Sequence, residues 1–136
     1  YKGPYIAPDD LSLMYGDIDI VWACFDPDAS VSNTWKWART NRFYESCFFR
    51  KPMIAQSGTT EGYEVESLGI GMTLDLSNPE KAANELLKAL PKDLRSWQKN
   101  AAAIPDSICV YTNEHKILLD SAIRAGVPDF TKSGST

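Results

Sequence analysis

The apolar positions of the chain change period from one segment to the next. Ile18-Asp19-Ile20-Val21-Trp22-Ala23-Cys24-Phe25 is almost continuously apolar. That is the mark of a strand covered on both faces, and it predicts the central strand of a parallel sheet. Ahead of it, Tyr1 to Ile6 reads as an edge strand interrupted by Pro4. Pro8-Asp9-Asp10 signals a helix start, and Leu11 to Tyr15 supplies a turn or two that Gly16 ends. Asp26-Pro27-Asp28 closes the strand with turn chemistry, and a polar loop containing Trp35 and Trp37 follows.

The period then becomes helical. From Asn41 on, Phe43, Cys47 and Arg50 share one face, with Tyr44 and Phe48 alongside. Thr40 or Asn41 can cap this helix, Arg50 and Lys51 suit its negative end, and Pro52 stops it. Met53-Ile54-Ala55 predicts a short buried strand, and a Gly/Ser/Thr loop from Gln56 to Tyr63 leaves its end. A short helix over Glu61 to Ser67 and a strand over Ile70 to Leu76 come next. Asn78 with Pro79 and Glu80 opens a helix to about Leu90, whose inner face holds Ala82, Ala83, Leu86, Leu87 and Leu90. Pro91 predicts a separate helix over Lys92 to Ala103, and Pro105-Asp106 breaks it. Thr112 or Asn113 caps a last helix with Ile117, Leu118, Ala122 and Ile123, which Gly126 and Pro128 end. About 129–136 reads as a tail, and no internal repeat is visible.

Strand and helix alternate, so the fold class is α/β: a partial Rossmann-like three-layer α/β/α domain with a short parallel sheet and C-terminal helices. At 136 residues the chain makes one domain. Its 43% apolar content is that of an ordinary globular chain, and its net charge of −4 argues against nucleic-acid and basic membrane-binding surfaces. Cys24, Cys47 and Cys109 are widely spaced in apolar settings, which predicts buried reduced thiols and a cytoplasmic protein. The only histidine, His115, lies near no cysteine, so neither a metal site nor any cofactor is expected.

The chemistry gathers at the start of the 41–48 helix. A helix N-terminus offers N–H groups and a positive dipole end to an anion. Arg42, in the first turn, adds a guanidinium fork for phosphate oxygens. Glu45, three positions on and on the same side, can accept from paired hydroxyls such as those of a ribose. The competing reading is an ordinary surface pair between Arg42 and Glu45.

Asn41-Arg42-Phe43-Tyr44-Glu45 followed by Arg50-Lys51-Pro52-Met53-Ile54-Ala55 resembles the donor-binding domain of GT-B glycosyltransferases, families one and four among them. The resemblance continues through Ser57-Gly58, Glu64-Val65 and Leu68-Gly69-Ile70-Gly71-Met72, and covers roughly Gly16 to Ala103. It implies that the chain is the second half of a GT-B donor-binding domain, taking a sugar from a nucleotide-diphosphate sugar. The basic residue of the pattern faces the diphosphate and its Glu holds the ribose. By resemblance the donor contacts are Asn41, Arg42, Glu45, Gly58, Thr59 and Glu64; no catalytic residue is implied. Where many retaining members carry another Glu, this chain has Trp37, so the sugar-contacting half of that motif is absent and the stereochemistry stays open.

The same resemblance implies a partner: an N-terminal acceptor domain preceding Tyr1. Missing strands would leave an apolar sheet edge open to self-association. In the full-length protein the site would face the cytoplasm, at the inner membrane face.

Each residue also has a plainer role. Asp26 and Asp28 suit a turn, and Gly58 suits a loop. Trp35 and Trp37 can stack on a ligand or pack partly into the core. Glu61 and Glu64 stabilise a helix start without any ligand. His115 reads as solvent-exposed. A nucleotide-sugar 2-epimerase of the same fold and a non-catalytic α/β interaction module are the alternative functions. A receiver-like signalling domain fails because Lys51-Pro52 comes too early in the chain.

Overall fold

Met53-Ile54-Ala55 is apolar throughout because both its faces and both its edges are covered. The computed structural model describes residues 6–25 and 34–125. In it, β1 (Val21–Ala23), β2 (Met53–Gln56) and β3 (Gly71–Leu74) form a parallel sheet in the order β1-β2-β3. Val21 lies opposite Met53, and Met53 opposite Gly71. Helices α1 (Leu11–Gly16), α2 (Thr34–Trp37), α3 (Asn41–Phe48), α4 (Thr60–Ser67), α5 (Pro79–Ala102) and α6 (Glu114–Arg124) surround it, with a 3₁₀ turn at Asp106–Ile108. The α/β class and the short parallel sheet are as the sequence predicts.

Side-chain alternation along the strands divides the core in two. Val21, Ala23, Met53 and Ala55 face Phe43 and Cys47 of α3, Val65 of α4 and Tyr15 of α1. Ile54 and Leu74 face Ala82 and Trp97 of α5, with Leu86, Leu90 and Leu94 half-buried beside them. The α5 helix thus closes the third layer, and its end returns to the first face through Ala101 and Ile104. The sheet is drawn tight at Gly71, where a Cβ would stand 1.7 Å from the Met53 carbonyl oxygen.

Several expectations need correction. The first strand is three residues long and, among the described residues, lies at the sheet edge; β2 holds the centre because it alone pairs on both sides. The two helices expected around Pro91 are one helix of 24 residues. Pro91 and Leu87 are both exposed, so the carbonyl that Pro91 leaves unpaired meets water, while the apolar face runs on from Ala82 to Ala101. Trp35 and Trp37 lie on α2 rather than in a loop, and Trp37 is 71% exposed, not packed. Tyr44, Phe48 and the α6 residues Ile117, Leu118 and Ile123 are exposed too. At the start of α6, Glu114 accepts from the backbone N–H groups of Thr112 and Asn113, in place of the expected side-chain cap. The 1–5 part of the expected edge strand, the Asp26-Pro27-Asp28 turn, Gly126, Pro128 and the 129–136 tail lie outside the described residues.

Among the described residues no helix is long and apolar enough to cross a membrane.

Candidate functional site

The C-terminal ends of the strands and the N-termini of α3 and α4 meet at one edge of the sheet, which is where open α/β sheets bind ligands. A cleft of about 470 Å³ opens there, lined by Phe25, Trp35, Ala38, Arg39, Thr40, Asn41, Arg42 and Glu45. Its size suits a small organic ligand.

Local sequence explains why each side chain stands where it does. Thr40 occupies the N-cap position of α3 in extended backbone, but its side chain does not cap the helix. Its N–H and hydroxyl both go to Glu61 instead. Among the described residues no side chain caps the first turn of α3, whose Asn41 and Arg42 are exposed, while the Glu61 carboxylate sits against the N-cap residue just ahead of it. Arg42 Nη1 donates to the Trp22 carbonyl at 3.2 Å, and its guanidinium lies 5.7 Å from the Phe25 ring centroid. Phe25 stacks on Trp35 with centroids 4.6 Å apart. One wall of the cleft is thus a cation laid on the Phe25 ring, which in turn stacks on Trp35.

Glu45 does not pair with Arg42. Its Oε2 accepts from the Tyr15 hydroxyl at 2.8 Å. The simple surface-pair reading is excluded, since the two side chains take separate partners. Glu45 also borders a second cleft, of about 350 Å³, between α1 and α3.

The remaining expected donor residues are arranged differently. Glu64 is ion-paired with Arg39 on the rim of the cleft. Thr59 caps α4: its Oγ1 accepts from the Gly62 N–H at 2.9 Å and donates to the Gln56 carbonyl at 2.8 Å. Its hydroxyl thus bonds within the protein at the start of α4. Gly58 is exposed with φ of 73°, next to open space. The structure brings Asn41, Arg42 and Glu45 together in the cleft, with Glu64 reaching it through Arg39; Gly58 and Thr59 lie outside its lining.

Sequence reasoning missed Arg39, Phe25, Tyr15 and the buried role of Glu61. Arg39 carried a weak signal, being a second cation just ahead of the helix start. Tyr15 carried none, since its contact with Glu45 spans 30 positions.

Cys24 and Cys47 are buried, and Cys109 is half-buried; all three are free thiols. Burial, with the charge of Glu61 adding to it, pushes the Cys24 thiol up to about 11. Burial is also the main cause that pushes Cys47 up to about 11, helped by Cys109 and opposed by Arg50 and Arg39. His115 is exposed on α6 and stacks beside Tyr111. Among the described residues no three His, Cys, Asp or Glu side chains are grouped to hold a metal ion.

The chain is similar to the succinoglycan biosynthesis protein ExoL of Rhizobium meliloti (strain 1021), 29% identical over 86 residues. The match covers 63% of this chain and 21% of that protein, so it spans about a fifth of that curated relative's length. No protein-family model and no solved structure matches the chain.

Proposed function

We propose that this chain forms the donor side of a glycosyltransferase acting in polysaccharide biosynthesis. The nucleoside diphosphate of a nucleotide sugar would occupy the cleft over α3. The observation that carries this reading is the convergence of an uncapped helix N-terminus, two arginines and the Glu45 carboxylate on one cleft at the carboxyl end of a parallel sheet. The similarity to a polysaccharide biosynthesis protein supports it, as does the GT-B-like pattern from Asn41 to Ala55.

On this reading the α3 N-terminus and Arg42 meet the diphosphate, and Glu45 accepts the ribose hydroxyls. The aromatic pair Phe25 and Trp35 walls the nucleoside. Charge grows on the diphosphate as the glycosidic bond breaks. Fixed positive groups that already face it lower the barrier without reorganising. A second domain would present the acceptor across the cleft.

Isothermal titration calorimetry with nucleoside diphosphates tests the proposal. Glu45→Ala should weaken binding by about 1–3 kcal/mol, the worth of hydrogen bonds to a charged group. Unchanged affinity would remove Glu45, and with it this reading, from the site.

A further inference from the structure

We infer that Tyr15 is the positioning residue for Glu45, and that its hydroxyl sets the preference of the cleft for a ribose. This rests on the donor-site reading above. The Tyr15 ring is fixed: it is 5% exposed and stacks on Phe49 with centroids 4.6 Å apart and planes 14° from parallel. Its hydroxyl donates to Glu45 Oε2 at 2.8 Å. Glu45 Oε1 takes no hydrogen bond from any described residue.

Glu45 borders open space on two sides, the cleft over α3 and the one between α1 and α3. A glutamate side chain with that freedom samples several rotamers, and holding it in one has an entropic cost. The Tyr15 hydrogen bond meets that cost before any ligand arrives. It uses one acceptor position of a carboxylate that has about four. Oε1 is left to receive vicinal hydroxyls, and preorganisation of this kind appears as affinity. Tyr15 thus acts through Glu45 and does not itself touch the ligand.

The test compares ribonucleoside diphosphates of the four bases with their 2′,3′-dideoxy counterparts, by calorimetry on the wild-type protein, Tyr15→Phe, Glu45→Ala and the double variant. Phe at position 15 keeps the ring and its stack, and thermal denaturation checks that the variant is folded. The ribose-to-dideoxyribose affinity ratio is unaffected by a minor unfolded fraction, which depresses both measurements alike. Tyr15→Phe should lower that ratio about fivefold, the order of one hydrogen bond, and should lower it no further in the Glu45→Ala background. An unchanged ratio in Tyr15→Phe while Glu45→Ala abolishes the preference overturns the positioning role, and so does a preference that survives in Glu45→Ala and drops equally with and without Glu45. If the wild-type protein shows no preference, or binds neither ligand, the donor-site reading itself fails and the positioning role goes with it.

Discussion

The Glu61 carboxylate accepts two hydrogen bonds from Thr40, one from its N–H and one from its hydroxyl, both at 2.7 Å. Glu61 is 3% exposed and sits in the first turn of α4, where the helix dipole favours its charge. Thr40 immediately precedes α3. One buried carboxylate therefore sets the spacing between the two helix N-termini that face the cleft.

Glu61→Ala should cost about 2–3 kcal/mol of stability, because it strips both Thr40 donors of a charged partner. Glu61→Gln keeps one oxygen acceptor and should lose roughly half as much. Thr40→Val removes the hydroxyl bond alone and should cost about 1 kcal/mol. Urea denaturation measures all three. If Glu61→Ala is no less stable than the wild type, the pairing with Thr40 contributes nothing.

Arg50 ends α3 in the left-handed region, with φ of 58°. The Arg50 N–H donates to the Cys47 carbonyl and the Lys51 N–H to the Ser46 carbonyl, the paired bonds of a Schellman stop. Glycine is the usual residue there, and an L side chain costs about 1–2 kcal/mol. The Arg50 guanidinium offsets this. It donates to the Cys47 and Ile104 carbonyls and pairs with Asp106, fastening the segment after α5 to α3. Arg50→Ala keeps the strain and loses the fastening, so it should destabilise by about 2 kcal/mol or more. Arg50→Gly removes the strain as well and should be the milder of the two. The opposite order in thermal denaturation would assign the stop no strain.

These cases show what was legible in the chain. The helices α3 and α4 and the start of α5 could be read because their signals are local: Asn78 with Pro79 opens one, Pro52 closes another. Hydrophobic period tells which face of an element is buried but not which element covers it. The edge position of β1 therefore could not be read, nor could the passage of α5 through Pro91, which depends on a continuous apolar face outweighing a broken helical bond. In the candidate site, the spacing of Arg42 and Glu45 made legible only that they share one side of α3. Their true partners, Trp22 and Tyr15, lie 20 and 30 positions away, and no local pattern points to them.

The thiols of Cys24 and Cys47 give the fold a basic limit. Each is pushed up to about 11, above an unfolded value of about 8.5. A raised folded value means that the folded state holds the thiol proton more tightly. The associated stability is complete below pH of about 8.5 and is lost as pH rises through about 11. Denaturation profiles from pH 7 to 11.5 should diverge between the wild-type protein and a Cys24→Ala/Cys47→Ala variant, with the variant losing less stability toward the basic end. At pH 8 only Cys109, half-buried, should react readily with Ellman's reagent until the chain unfolds. Parallel profiles, or fast reaction of all three thiols, would contradict the burial of these groups.

Arg42 poses the sharpest choice at the site. Its guanidinium donates to the Trp22 carbonyl at the end of β1 and lies over Phe25. One bond occupies a small part of a group with about five N–H donors. The rest of the fork stands at the first turn of α3, where the dipole already favours an anion. If the site takes a diphosphate, Arg42→Ala should cost nucleoside diphosphates about tenfold in affinity, the order of one charge-assisted contact, and should cost the monophosphates less. Arg42→Lys restores the charge but not the planar fork, so it should recover only part of the loss. If Arg42 is a strut between β1 and α3 and nothing more, Arg42→Ala should lower the melting temperature slightly and weaken mono- and diphosphates by the same factor. Competition binding of the two ligand classes to the wild-type protein and both variants separates these outcomes. A diphosphate advantage that survives intact in Arg42→Ala leaves the guanidinium with its structural bond to Trp22 as its only role.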